Sequence, residues 1–294
     1  MKNILVVGGF GFLGSTLVGH LLNTNKYQIT ILVKKSSNTS RIDDNLIEKI
    51  KVTYIEDLNF NGFFEENKFY SIINAAVVYD NKFSYKVFET NFLLTLKIIE
   101  YGRINACNNF IIFDSFYRKF KTYDQKNYYR LSKEWLAVYL ESFKKERVVN
   151  LQLEHMYGPY DNESKFIPKI ISALLEGNKE ISLTEGNQKR DFIFVEDVCD
   201  LTLEILEKVT SFNQGISTIE VGTGEAIKLK EFVNKIKYIF KNDTTSLEFG
   251  AHPENTTEIQ ISKANLDLMP TFLSWRPKTT VNEGINKILQ TIKH

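Results

Sequence analysis

Apolar positions along the chain follow two rhythms. Short, nearly unbroken apolar runs recur at Ile4–Val7, Gln28–Val33, Val52–Ile55, Tyr70–Asn74, Phe110–Phe113 and Val148–Leu153. Runs of this length, rich in β-branched residues, mark strands buried on both faces. Between them apolar residues return at helical spacing. Thr16-Leu17-Val18 leads to Leu21-Leu22, and a long segment from Lys82 to Tyr101 puts Phe88, Phe92, Leu96 and Ile99 on one side. A further segment from Tyr129 to Phe143 carries Trp135, Leu136, Tyr139, Leu140 and Phe143 as a stripe. Strands alternating with helices predict an α/β fold, a doubly wound parallel sheet with right-handed crossovers. Past Pro159 the alternation weakens. Helices are predicted near 164–176, 196–208 and 229–240, a strand over Ser217–Val221, and a last helix from Val281. The pattern predicts a sheet domain over 1–160 with a returning segment about 190–222, and a smaller mixed α/β lobe from 161–189 and 223–294.

The first strand runs directly into Gly8-Gly9-Phe10-Gly11-Phe12-Leu13-Gly14, and a helix follows at once. Strand, glycine turn and helix in this order form a pyrophosphate cradle. A side chain in the turn would keep the backbone from the anion, and the helix offers free N–H groups to it. Two spacings are open: Gly9, Gly11 and Gly14, or Gly8, Gly11 and Gly14. Ligands of such sheets bind past the carboxyl ends of the strands. Gly8–Gly14, Lys34, Asp57, Asn74–Ala76, Ser115 and His155 all fall just past predicted strand ends.

Composition adds mainly exclusions. A net charge of +1 gives no reason to expect nucleic acid or an acidic membrane as partner. Cys107 and Cys199 stand apart from each other and from the four histidines, so no disulfide framework and no metal site is expected. Glycines interrupt the amino-terminal apolar run, which argues against a signal peptide, and no run approaches the ~20 apolar residues of a membrane span. A cytoplasmic location is expected.

Chemistry enters at Tyr129-Arg130-Leu131-Ser132-Lys133, a phenol and an ammonium one helical turn apart on the same face. A cation so close is expected to lower the phenol's pKa and suit it to proton transfer. Tyr128 lacks this partner, because its turn-mate is Ser132. A Tyr-x-x-x-Lys spacing is also common on ordinary helix surfaces; the glycine fingerprint upstream and Ser115 at the intervening strand's end give this one its weight.

With these residues in place the sequence resembles the extended short-chain dehydrogenase/reductases that act on nucleotide-activated sugars. The resemblance runs over essentially the whole chain. It includes the glycine segment, Asp57-Leu58, Asn74-Ala75-Ala76, Asn91, Ser115, Tyr129 with Lys133, Tyr157-Gly158-Pro159, Arg190-Asp191-Phe192 through Val198, Glu220–Gly224 and Trp275-x-Pro277. It implies a Rossmann domain and the spacing Gly8, Gly11, Gly14, with Phe12, Leu13, Ala75, Ala76 and Asn91 also at the cofactor. Asp57 and Leu58 would flank the adenine. Ser115 would hydrogen-bond the reacting sugar oxygen, Tyr129 would pass the proton, and Lys133 would hold the nicotinamide ribose and tune Tyr129. Arg190 would meet the substrate diphosphate; a local ion pair with Asp191 is the plainer reading. His155 stands where an asparagine usually faces nicotinamide and sugar, and would be either a substrate contact or a core histidine. The resemblance also implies a homodimer through the two long helices.

Leu153-Glu154-His155-x-Tyr157-Gly158, Lys189–Phe192 and Glu220–Ile227 are similar to the CDP-paratose and CDP-abequose synthases, reductases of CDP-4-keto-3,6-dideoxyhexoses in O-antigen synthesis. A second diphosphate arginine used by many members is missing, with Asn255 near its place. Phe116-Tyr117 follow Ser115 where dehydratases carry Asp-Glu, which argues against dehydration. NAD-binding chains place an acid about 20 residues past the glycines, on the ribose 2′-OH. Here Lys34, Lys35 and Ser36 fill that place and would suit a 2′-phosphate. The expected activity is NADPH-dependent reduction of a nucleotide-linked 4-keto sugar. An NAD-dependent 4-epimerase of the same fold and a non-catalytic dinucleotide-binding regulator stay open.

Overall fold

The computed structural model describes residues 1–79, 85–120, 127–253 and 258–293. Asn255 and the predicted start of the long helix at Lys82 lie outside them. The chain divides into two compact units, Met1–Gln152 with Cys199–Ile219 and Met269–Trp275, and Leu153–Val198 with Glu220–Leu268 and Arg276–His294.

The first unit is built on seven strands: β1 (Lys2–Val7), β2 (Tyr27–Val33), β3 (Lys51–Tyr54), β4 (Ser71–Asn74), β5 (Asn109–Ser115), β6 (Arg147–Leu153) and β7 (Gly215–Val221). Their order is β3-β2-β1-β4-β5-β6-β7. The β1/β2, β1/β4, β2/β3 and β4/β5 pairs are parallel, with Val7 opposite Leu32 on one side and Asn74 on the other. Ile4, Leu5, Val6 and Val7 are fully buried, as their unbroken apolar run requires. The order reverses between β1 and β4, the switch point where such sheets bind ligands. Among the helices are α1 (Phe12–Asn23), α2 (Phe60–Glu66), α3 (Thr95–Ile104), α4 (Tyr128–Leu140) and α5 (Val195–Glu207). One cluster joins Leu5, Val7, Ile72, Phe110 and Ile112 of the strands to Phe63 and Phe64 of α2, Ile98 and Ile99 of α3, and Leu136 and Leu140 of α4.

The long helical segment departs from the sequence expectation. A π-helical stretch, Glu89–Leu94, separates the turn Tyr85–Phe88 from α3. The buried positions are Val87, Thr90, Asn91, Thr95, Ile98 and Ile99, a face one position off the expected stripe both before and after the π stretch, and of the expected stripe only Ile99 is fully buried. Phe88 and Phe92 are half-buried and meet Trp135 at 5.1 and 6.2 Å between ring centroids. Trp135 is itself 53% exposed, not a core residue. The buried face of α4 instead carries Tyr129, Ser132, Lys133, Leu136 and Leu140.

In the second unit short strands replace the long sheet. His155–Tyr157 pairs in parallel with Phe192–Phe194. Lys189–Arg190 lies between Ile227–Lys228 and Ile261–Ser262, and Ser246–Phe249 runs parallel to Glu180–Leu183. Tyr157, Phe192, Phe194, Phe232 and Ile285 pack in its core, with the Phe192 and Phe232 rings stacked at 3.9 Å. Two buried carboxylates tie its loops. Asp191 accepts from Thr223 N, Thr223 Oγ1, Gly224 N and Ala264 N at 2.6–3.1 Å. Asp197 accepts from the Lys278 and Thr279 amides and the Thr279 hydroxyl. Among the described residues no helix is long and apolar enough to cross a membrane.

Candidate active site

The glycine turn after β1 has the shape of an anion cradle. Gly8 is left-handed at φ +79°, and a Cβ there would sit 2.7 Å from the Ala76 backbone at the end of β4. A Cβ on Gly14 would lie 2.1 Å from the Gly8 carbonyl oxygen, to which Gly11 N donates at 2.8 Å. Gly8 and Gly11 are thus joined by a backbone hydrogen bond, and Gly14 packs directly against the Gly8 carbonyl. Gly9 answers a different demand, since a Cβ there would strike the Ile31 side chain of β2. Gly11 is the N-cap of α1; no side chain caps the helix and no acid stands in its first turn. A negatively charged group fits such a helix start.

Around this turn the strand ends bring Lys34 and Lys35 (after β2), Asp57 (after β3) and Ala75 and Ala76 (after β4). Lys34 Nζ donates to Thr90 Oγ1 at 3.3 Å. Lys35 Nζ pairs with Asp57 Oδ1 at 2.6 Å, and its amide donates to the Glu56 carboxylate. Both partners in the Lys35–Asp57 pair are exposed by more than half, so exchanging Asp57 for another anion costs little. Leu58 packs against the core cluster. Arg41 reaches the Phe10 carbonyl of the glycine turn at 3.5 Å. Sequence reasoning missed it, because its position depends on the path of an irregular loop.

Asn91, in the π segment, clasps the loop after β4. Its Oδ1 accepts from Val78 N at 2.8 Å, and its Nδ2 donates to Val78 O and to Ser132 Oγ of α4. It shapes the rim by fixing that loop to α4.

Ser115 ends β5, where its hydroxyl caps the following 3₁₀ turn by accepting from Tyr117 N. Asn127 caps α4, its Oδ1 accepting from the Arg130 amide, and Tyr129 lies in the first turn on the buried face. A side-chain hydrogen bond joins Ser115 to Tyr129. Lys133, one turn on, is buried and donates to the Phe113 carbonyl at 2.7 Å. The rings of Tyr79 and Tyr117 stand 4.8 and 6.3 Å from that of Tyr129; neither had a spacing signal in the sequence.

The electrostatics correct one expectation. Burial pushes the Tyr129 phenol well above its ordinary range, partly opposed by the Ser115 hydrogen bond, with Asp114 and Tyr79 pushing the same way as burial. Burial also lowers Lys133, and Asp114 opposes it. A lowered phenol pKa would hold for a solvated Tyr-Lys pair. Inside the protein the desolvation of the phenolate dominates, so Tyr129 holds its proton and is arranged as a donor.

In the second unit, Arg190 Nη2 pairs with Glu258 at 2.8 Å, and Gln188 donates to the same carboxylate oxygen. Asp191 turns instead to the backbone amides of Thr223, Gly224 and Ala264. His155 meets Phe192 edge-on at 5.9 Å. Burial, with the Arg190 charge, lowers its pKa to about 3, so the imidazole is neutral over the ordinary pH range. The Arg190 guanidinium is one arm of a potential anion site, and His155 is a neutral hydrogen-bonding group.

A doubly wound sheet with a glycine turn at its switch point and a Ser-Tyr-Lys cluster at a strand end defines a dinucleotide-binding protein of the short-chain dehydrogenase type. The model of the NAD dependent epimerase/dehydratase family matches residues 4–222, and the chain belongs to that family. It is 32% identical over 295 residues to a CDP-abequose synthase of Salmonella muenchen, covering 98% of this chain and 97% of that one. It is 26% identical to a putative UDP-glucose 4-epimerase of Methanocaldococcus jannaschii, covering 99% and 98%. Among solved structures, a UDP-N-acetylglucosamine 4-epimerase from Methanobrevibacter ruminantium M1 superposes with a TM-score of 0.80 at 21% identity over 99% of both chains. The NAD complex of a Thermus thermophilus UDP-glucose 4-epimerase gives 0.78 at 20% identity, again over 99% of both. These two likenesses speak for the fold.

Proposed function

We propose that this enzyme reduces the 4-keto group of a nucleotide-linked deoxyhexose with NADPH, in the manner of a CDP-abequose or CDP-paratose synthase. The observation that carries the reading is the hydrogen-bonded Ser115–Tyr129 pair with a protonated phenol and Lys133 one turn behind it. The CDP-abequose synthase relatives and the Phe116-Tyr117 sequence after Ser115 support reduction over dehydration. Lys34, Lys35 and Ser36 support NADPH over NADH, since two ammoniums and a hydroxyl suit a 2′-phosphate. Gly8, Gly11, Phe12, Leu13 and Gly14 would take the pyrophosphate, Asp57 and Leu58 the adenine, and Ala75 and Ala76 the surface beneath it, with Asn91 holding the adjoining loop in place. When bound, the reduced nicotinamide supplies the hydride. Ser115 orients the keto oxygen and Tyr129 gives it the phenolic proton; the phenolate left behind is re-protonated from solvent. Lys133 would hold the ribose, and Arg190 the substrate diphosphate. Synthesis of surface-polysaccharide sugars is the role that fits this reaction.

NADPH oxidation against a panel of freshly prepared NDP-4-keto-6-deoxy and 3,6-dideoxy sugars tests the proposal. Turnover is expected, with Tyr129→Phe slower by about 10²–10⁴-fold and Tyr128→Phe near wild type. No NADPH consumption with any 4-keto sugar would overturn it. A C4-epimerised product without net oxidation would favour the epimerase reading.

A further inference from the structure

A buried carboxylate stands beside this cluster and has no part in the proton and hydride transfer. Asp114 precedes Ser115 on β5, and its side chain is 4% exposed. Its Oδ1 accepts the Ser115 amide at 2.8 Å. Its Oδ2 accepts Arg118 Nη1 at 2.7 Å and Asn150 Nδ2 of β6 at 2.9 Å. A carboxylate is costly to bury unless charge and hydrogen bonds compensate it, and here one ion pair and two neutral donors do so. These contacts fix the last stretch of backbone before Ser115 to the neighbouring strand and to the 3₁₀ turn beyond.

The groups that face Tyr129 come from several elements: Asp114 and Ser115 from β5, Tyr117 from the 3₁₀ turn, Tyr79 from the loop after β4, and Lys133 from its own helix. Of these, Asp114 and Lys133 carry charge, and Arg118 partly neutralises Asp114. A negative charge there disfavours a phenolate at Tyr129 and favours the ammonium at Lys133.

We propose that Asp114 is a positioning residue that holds Ser115 against Tyr129 and keeps the phenol in the protonated form from which reduction draws its proton. The inference rests on the reductase reading. Reduction of a ketone breaks the phenol O–H and forms the alcohol O–H, with the electron pair arriving as hydride from the reduced nicotinamide. Oxidation of a sugar hydroxyl, the opening half of a 4-epimerase cycle, needs the reverse, a phenolate that accepts the proton. Asp114 opposes that phenolate, so the phenol that reduction consumes persists to higher pH; each proton given becomes harder to release, and the mark of Asp114 is on the alkaline limit of the profile, not on the direction of the reaction.

The test compares Asp114→Asn and Arg118→Met, each also combined with Tyr129→Phe. Two readouts serve: the pH profile of kcat/KM for keto-sugar reduction, and the phenolate absorbance difference between each protein and its Tyr129→Phe counterpart. A phenol donor works below its pKa and fails as pH rises through it. Asp114→Asn should therefore bring both the alkaline loss of activity and the phenolate titration down by about one pH unit or more. Arg118→Met, which unmasks the carboxylate, should move both to higher pH. A merely structural defect would lower the rate across the whole profile and could not shift the two variants in opposite directions. Shifts in the same direction, or none, would overturn the proposal. If Asp114→Asn does not fold, Arg118→Met decides: an upward shift supports the role, and no shift or a downward one refutes it. If the wild type reduces no 4-keto sugar, the reductase reading falls separately, and the difference titration alone decides the role of Asp114.

Discussion

Adding one methyl group to three glycines of the same turn and helix should give three different results, each set by the backbone around it. At Gly14 the new Cβ would stand 2.1 Å from the Gly8 carbonyl oxygen. Real Cβ contacts stay beyond 3.0 Å, so the turn must open by about 0.9 Å, and the obstacle is backbone that cannot swing aside. That displacement moves the N–H groups that would grip a pyrophosphate. Overpacking of this kind costs about 1–3 kcal/mol of stability, and the misplaced donors should weaken cofactor binding by at least tenfold. Gly8→Ala adds the strain of φ +79° to a 2.7 Å clash with Ala76 and should be at least as damaging. Gly19, in the middle of α1, has nothing within 4 Å of the added methyl. There alanine should stabilise by about 0.5–1 kcal/mol, because it restricts the unfolded chain. Thermal melts and NADPH titration by fluorescence read both quantities on each variant. If Gly14→Ala bound NADPH as tightly as wild type while remaining folded, the cradle would not be where the cofactor sits.

Lys34→Asp should erase or invert a preference for NADPH over NADH, since a charged hydrogen bond contributes about 1.5–3 kcal/mol; equal affinity for both cofactors in the wild type would refute the 2′-phosphate reading. Trp135 and Val138, 53% and 64% exposed on α4, and Leu93, 55% exposed in the π segment, are large apolar residues that a second copy of the chain would cover. Light scattering at micromolar concentration should find a homodimer, and Trp135→Glu should shift it toward monomer; a monomeric wild type would refute this. Asp191→Ala should lower stability by roughly 3 kcal/mol or more, because it leaves the amides of Thr223, Gly224 and Ala264 and one hydroxyl without their acceptor. Lys189→Ala, two residues earlier, should leave the melting temperature unchanged, and an equally stable Asp191→Ala would show that those loops are held by something else.

Local pattern alone determined much of this protein. β1, β2, β4, β5 and β6 follow from apolar runs because a strand buried on both faces can admit little else, whereas β3, at the edge of the sheet, forms without a buried residue; Gly8 to Gly14 announce their turn because no side chain fits between Gly14 and the Gly8 carbonyl. The Tyr129–Lys133 spacing likewise places both residues on one helix face, whatever the helix packs against. Tertiary structure decided what that face meets. Burial raises Tyr129, although its neighbour in sequence suggested the opposite, since desolvation depends on the surrounding sheet and loops and not on spacing. It also decided the partners: Asp191 turns to three backbone amides rather than to Arg190, and Arg190 reaches Glu258, 68 residues away. It also chose the inward face of the segment Tyr85–Ile104, which lies one position off the apolar stripe, with Phe88 and Phe92 packed on Trp135. Arg41 and Tyr79 reach the site rim through contacts between segments far apart in the chain, and such contacts leave no periodicity in the sequence to read; Asp114 sits beside Ser115, but its Asn150 partner is 36 residues away.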